Sequence, residues 1–281
     1  MRMRAAALTL VLCFCSTMSA AQTVVVYPRP ESQTDARTLY PVKLLRQALS
    51  LSGTKYTLRP SQQEMLQGRA LVQLEDAHDI NVLWTMTTPE REKTLLPVRI
   101  PIDKGLLGVR LLLVKKERLD EFKNLDAKKL AEKTAIQGHD WPDTGILRAN
   151  QFKVVTEAGY DSMFRLLDNR SVDYFPRSIS EIWDEAEAHK AQGLAIEPGL
   201  VLRYQAARYF FVNKNNTKLA ADISKGLEKM LVDGSFEKLF QEAFGTYIAR
   251  AKLASRHVIE LHNPNIPAEA PPSRRELWFH E

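Results

Sequence analysis

Short apolar runs of strand length alternate along this chain with stretches of helical period, and that alternation narrows the possible folds more than any other feature. TVVVY at 23–27 reads as a buried strand. TLYPVKLLRQALSLSG spaces its leucines for a helix ended by Gly53, and YTLRP is a second strand. SQQEMLQGRALVQL opens on Ser61, three residues before Glu64, which predicts a capped helix over 61–74. HDINVLW is a third strand. The order βαβαβ favours a mainly parallel sheet covered by helices.

The pattern then repeats. LLGVRLLLVKK at 106–116 is a long strand-like run, followed by a helix over 118–132 and the strand TAIQG. A helix around 142–150, the strand FKVVT, a helix over 160–168 and the strand VDYF come next. SISEIWDEAEAHKAQ reads as helix and GLAIE as strand. RYFFVNK at 208–214 is one more strand, and the segment after it is two amphipathic helices broken at Gly234. The reading is α/β, with two α/β lobes joined by a two-strand hinge: residues 22–111 and 206–254 form lobe 1, and residues 112–205 form lobe 2. Residues 255–281, rich in proline, form an extended tail lying against the surface.

The N-terminus reads MRMR, AAALTLVLCFC and STMSAA, the layout of a signal peptide cleaved after Ala21. Both cysteines, Cys13 and Cys15, fall inside it, so the remaining 260 residues hold no thiol, disulfide or cysteine metal site. Losing Arg2 and Arg4 lowers the formal charge from +5 to +3, and the charges alternate in sign as in EREK and DAKKLAEK. No nucleic-acid stripe or membrane-binding patch is present. The expectation is an exported, periplasmic monomer without a cofactor or metal. A nucleophile elbow, HExxH and a P-loop are all missing, which argues against an enzyme.

Three stretches carry a resemblance. Thr88-Pro-Glu-Arg91 is similar to the Thr-x-x-Arg after the third strand of type II periplasmic solute-binding proteins of family 3, the amino-acid binders of ABC transporters. LLDNRSVDYF, with Asp173, resembles that family's strand entry in the second lobe. LAADISKGLEKMLVDGSFEKLFQEAFG resembles its closing helix pair. Together they cover nearly all of residues 22–250. The resemblance implies a bilobal periplasmic-binding-protein fold that captures a small solute in an interlobe cleft and presents it to an ABC transporter permease or another membrane partner.

The resemblance also implies that Arg91 binds a ligand carboxylate, a role its planar two-pronged guanidinium suits. An ordinary bridge to Glu90 or Glu92 is the alternative. Thr85 and Thr88 flank it. Trp84 is either a stacking wall or core packing. Tyr27 and Glu31, in a loop that also carries Arg29 and Arg37, are further ligand candidates. The family's Gly-Thr-Thr nest appears here as Gly138-His139-Asp140, which keeps His139 a candidate while Asp140 or Asp143 caps the helix entered at Pro142. The family's amino-group aspartate falls near Arg177 or Ser178, and neither neutralises an ammonium. With Arg91, Arg177 therefore points to an anionic or carboxylate-bearing solute, unless Pro176 ends the strand and leaves Arg177 exposed. Lys104 and Arg110 read as solvated charges beside the hinge. The competing function is a periplasmic regulatory or protein-interaction module that keeps the fold without transport. Exposed Trp278 and Phe279 would favour it.

Overall fold

The computed structural model describes residues 23–32, 35–270 and 274–280. The expected signal peptide, with both cysteines, lies outside the described residues. Strand β1 (Thr23–Arg29) buries Val25 and Val26 and pairs in parallel with β2 (Tyr56–Glu64). Helix α1 (Leu39–Ser50) lies between them and turns Leu44, Leu45, Ala48 and Leu49 into the core, as its leucine spacing predicts.

The helix expected from Ser61 does not start there. The buried Ser61 hydroxyl accepts the Arg29 N–H at 3.1 Å and donates to the Gln63 carbonyl at 2.7 Å, which ties this stretch to β1 and extends β2. Helix α2 (Gln67–Glu75) begins after the extended Leu66. Strand β3 (Val82–Met86), the short helix α3 (Pro89–Thr94) and β4 (Leu95–Val98) follow. A 3-10 turn at Leu106–Gly108 leads into β5 (Val109–Lys115).

Next, the expected helix over 118–132 is split into a 3-10 segment, Lys116–Phe122, and α4 (Ala127–Glu132). Asn124 sits between them at φ 56°, a left-handed conformation no helix continues through. Then come β6 (Thr134–Gly138), α5 (Pro142–Ala149), β7 (Lys153–Glu157) and α6 (Tyr160–Asp168). The strand read at VDYF begins only at Phe175, as β8 (Phe175–Ser178). After α7 (Ile182–Ala188) come β9 (Leu194–Ile196), β10 (Leu200–Arg203) and β11 (Arg208–Asn213). The paired helices α8 (Thr217–Asp233) and α9 (Ser235–Ala251) meet at Gly234, whose φ of 78° ends the first of them.

The sheets are mixed, not mainly parallel. β11 runs antiparallel to both β3 and β4, and β5 runs antiparallel to β8, β9 and β10. The reason is the crossing: strands that carry the chain between lobes run against those laid down by local βαβ units, and among the described residues the named strands that pair in parallel are β1 with β2, β6 with β7, and one late pair. That late pair corrects the tail. Its residues His257–Glu260 form β12, which adds in parallel to β10 on the second lobe's sheet. Farther on, Leu277 is fully buried, the Phe279 N–H donates to Lys104 O at 2.8 Å, and Trp278 packs on Gly105, where a Cβ would strike its ring. The tail aromatics are half-buried packing groups, so they do not supply the exposed patch that the interaction reading needs.

At the crossing, the Tyr204 N–H donates to the Gly108 carbonyl at 3.1 Å, and just beyond it Leu202 pairs with Arg110. One buried apolar cluster runs from Leu44 and Leu227 in lobe 1 to Leu113 and Phe164 in lobe 2. Direct contacts also join the two lobes across the cleft between them.

Candidate functional site

A cavity of about 140 Å³ lies in that cleft, close to the roughly 150 Å³ space that holds a benzene-sized molecule in an engineered core. From lobe 1 it is lined by the loop after β1, by Met65 and Gln67, and by Leu83, Trp84, Thr85 and Met86 of β3. Lobe 2 contributes Trp141, Asp143, Arg177 and Glu181. Trp84 is half-buried, lies 5.9 Å from the Tyr27 ring and meets Phe210 edge-on at 6.3 Å. It is thus both cavity wall and core packing.

Charges crowd this wall. Among the described lining residues are five arginines (Arg29, Arg37, Arg110, Arg177 and Arg208) and four carboxylates (Glu31, Asp35, Asp143 and Glu181). Arg110, 1% exposed, bonds Asp143, which also accepts the Tyr204 hydroxyl. This overturns both the solvated Arg110 and the capping Asp143: Asp143 is consumed by an ion pair, and Trp141 stands at the helix N-terminus without a side-chain cap. Arg177 is not exposed beyond Pro176 either. It is 1% exposed, sends Nε and Nη2 to Glu185 at 2.8 and 2.6 Å, and lies 2.8 Å from Glu181. Arg208 reaches Asp103 at 3.0 Å and Glu181 at 3.7 Å. Burial alone would raise the Glu181 carboxyl, but the surrounding guanidiniums of Arg177, Arg110 and Arg208 hold it below its ordinary value.

Arg37 holds Asp35 with both prongs at 2.7 and 2.8 Å and Glu31 at 3.3 Å. Glu31 lines the cavity, and burial pushes its carboxyl up. Burial pushes at Asp35 in the same direction, but Arg37 beside it wins and holds it below the ordinary 3.8. A carboxyl depressed in the folded state adds stability that is complete above its unfolded value and lost as pH falls through the folded one. The stability gap between wild type and Asp35→Asn, followed by urea denaturation, is therefore expected to be widest near neutrality and to close as pH falls below 3.8.

The remaining arginine is Arg29. Fixed between Pro28 and Pro30, it has no side-chain partner among the described residues.

The other sequence candidates divide. Arg91 is not on the cavity surface. Its Nη1 donates at 2.7 Å to both Thr85 Oγ1 and Met86 O, and its Nη2 crosses the cleft to Asp140 O at 3.2 Å. No described carboxylate lies within ion-pair distance of it, and burial pulls it down to about 10. The alternative, a bridge to Glu90 or Glu92, does not form among the described residues. Thr85 lines the cavity and also bonds Gln67, whereas Thr88 caps α3 by accepting the Arg91 N–H at 3.3 Å. Tyr27 sits behind Trp84. Ser178 is buried, donating to Leu106 O at 2.8 Å, and His139 is exposed, its N–H taken by Glu157 O at 3.1 Å. Asp140 does cap a helix, but in the other lobe: its carboxylate receives the Gly68 N–H at the start of α2, where the helix dipole favours a negative charge.

No protein-family profile and no curated protein sequence matches the chain. Solved structures do. A Salmonella typhimurium periplasmic binding protein of high arginine specificity superposes with a TM-score of 0.61 at 14% identity, over 79% of this chain and 99% of that one. The arginine-, lysine- and histidine-binding protein of Geobacillus stearothermophilus gives 0.58 at 16% identity, over 80% and 96%. The chain has the bilobal periplasmic-binding-protein fold. A histidine kinase sensor domain similar to periplasmic binding proteins gives 0.60 at 17% identity, over 80% and 96%, so the same fold also stands in a signalling protein.

Proposed function

We propose that the protein is a periplasmic solute-binding protein that takes a small carboxylate-bearing solute into the interlobe cavity and delivers it to a membrane transporter. The observation carrying this reading is Arg29: Arg37, Arg110, Arg177 and Arg208 on the cavity wall are each paired with a carboxylate, whereas the Arg29 guanidinium has no partner among the described residues. Arg91, buried without an acid partner, adds positive potential from behind Thr85. Trp84, Leu83 and Met86 offer the rest of the solute an apolar surface, the usual division of a ligand pocket. Arg177, the second cation of the sequence reading, is fully engaged by Glu181 and Glu185, so the preference for an anion rests on lobe 1 alone.

A thermal-shift screen tests this. At a hundredfold excess over Kd, a ligand of the folded state adds about 2.7 kcal/mol, or about 5–10 °C for a chain of this length. Small carboxylates are expected to give that rise, and their amides or methyl esters to give none. A rise with amines or neutral sugars and none with carboxylates would reject the reading. The non-transport regulatory reading is favoured by one observation: the lobes are clasped directly by the protein's own groups, through Asp140 to Gly68 and Arg91 to Asp140. It predicts a screen without any hit.

A further inference from the structure

Arg37 leaves lobe 1 from a single 3-10 turn, Ala36–Thr38, capped by Asp35, which accepts the Arg37 N–H at 3.0 Å. Its guanidinium then lies against lobe 2, 4.1 Å from the centroid of the Tyr160 ring and 5.6 Å from that of Trp141. Both rings are fixed. Tyr160 is 3% exposed and donates its hydroxyl to Glu185 at 2.8 Å, and Trp141 packs so closely on Gly138 that a Cβ there would overlap it. The guanidinium is thus held on one side by two carboxylates and on the other by aromatic rings, the surroundings that receive a cationic group best. Arg37 also forms a wall shared by the cleft cavity and a second cavity of about 260 Å³ behind it.

We propose that Arg37 is a built-in occupant of the cleft's cation-binding position, which latches the lobes together and excludes solutes carrying a guanidinium or ammonium group. The proposal deepens the reading of the cavity as a solute site and sets its specificity. Any basic solute must displace a tethered guanidinium that Asp35 and Glu31 already neutralise. Removing the side chain leaves those carboxylates and the Tyr160 ring as a vacated receptor and joins the two cavities.

Arg37→Ala, in the purified protein, is expected to enlarge the radius of gyration in small-angle X-ray scattering. Methylguanidinium at millimolar concentration, well below denaturing levels, is expected to contract the variant again and raise its melting temperature. Its affinity for the variant is expected to exceed that for wild type by about tenfold or more. Arg37→Met, which keeps the aliphatic stem, is expected to behave alike, so a fold lost in the alanine variant would not leave the matter open. Variants with the wild-type radius and no methylguanidinium response, or a wild type that responds equally, would overturn the proposal. These readouts involve no carboxylate solute, so they fail or succeed independently of the proposed ligand class.

Discussion

Replacing Glu185 with alanine is expected to lower the stability of the protein by about 3–5 kcal/mol, because breaking one side of a buried ion pair leaves an uncompensated charge. Glu185 is 4% exposed and accepts three hydrogen bonds, two from Arg177 and one from Tyr160. Arg177 would keep only Glu181, which Arg110 and Arg208 also draw on. For a chain of this size the loss corresponds to about 10 °C in melting temperature. Adding Arg177→Met should recover a large part of it, since an apolar replacement of the whole pair is often close to neutral. A single-variant loss below about 1 kcal/mol, the level of an exposed pair, would show that the cluster is solvated.

Gly108→Val is expected to cost about 3 kcal/mol, at the upper end for an overpacked site. A Cβ on Gly108 would fall inside the Tyr204 carbonyl and within 3.2 Å of the Ala206 Cβ, so the two crossing segments must move apart. That movement breaks the Tyr204 to Gly108 hydrogen bond and disturbs the Leu202 to Arg110 pairing beside it. Gly226 is as crowded, against the Ala48 carbonyl, but within lobe 1. Substitution at either glycine should destabilise. Only the change at Gly108 should also enlarge the radius of gyration below the melting transition. Equal radii for the two variants would remove the hinge from Gly108.

Much of this fold is legible because apolar spacing reports which face is buried: α1, β5, β11 and the pair α8 and α9 follow directly from it. Strand partners leave no such trace. Nothing in RYFFVNK marks it as antiparallel to β3, and HVIE in the tail lacks the apolar run that would announce β12. Ser61 fits a capping box by spacing, yet the contact deciding its role is to Arg29, distant in sequence. The site shows the same limit. Thr88-x-x-Arg91 is where the sequence puts it, but Arg91 turns toward Asp140, 49 residues away. Arg110 looks like a surface charge until Asp143, 33 residues on, comes against it. Arg177 lies in a strand and Glu181 just before α7, so no helical spacing announces their pairing. Arg29 and Arg37 each have an acid two residues away, Glu31 and Asp35, and the spacing does not tell that Arg37 takes both.

The central claim is that the cleft receives a carboxylate at Arg29. Titration calorimetry of the strongest carboxylate from the screen, against wild type and Arg29→Ala, tests it most directly. Loss of a charge-assisted hydrogen bond of about 1.5–3 kcal/mol predicts an affinity about 10- to 100-fold weaker in Arg29→Ala, with the methyl ester binding both proteins equally poorly. Unchanged affinity in Arg29→Ala would contradict it.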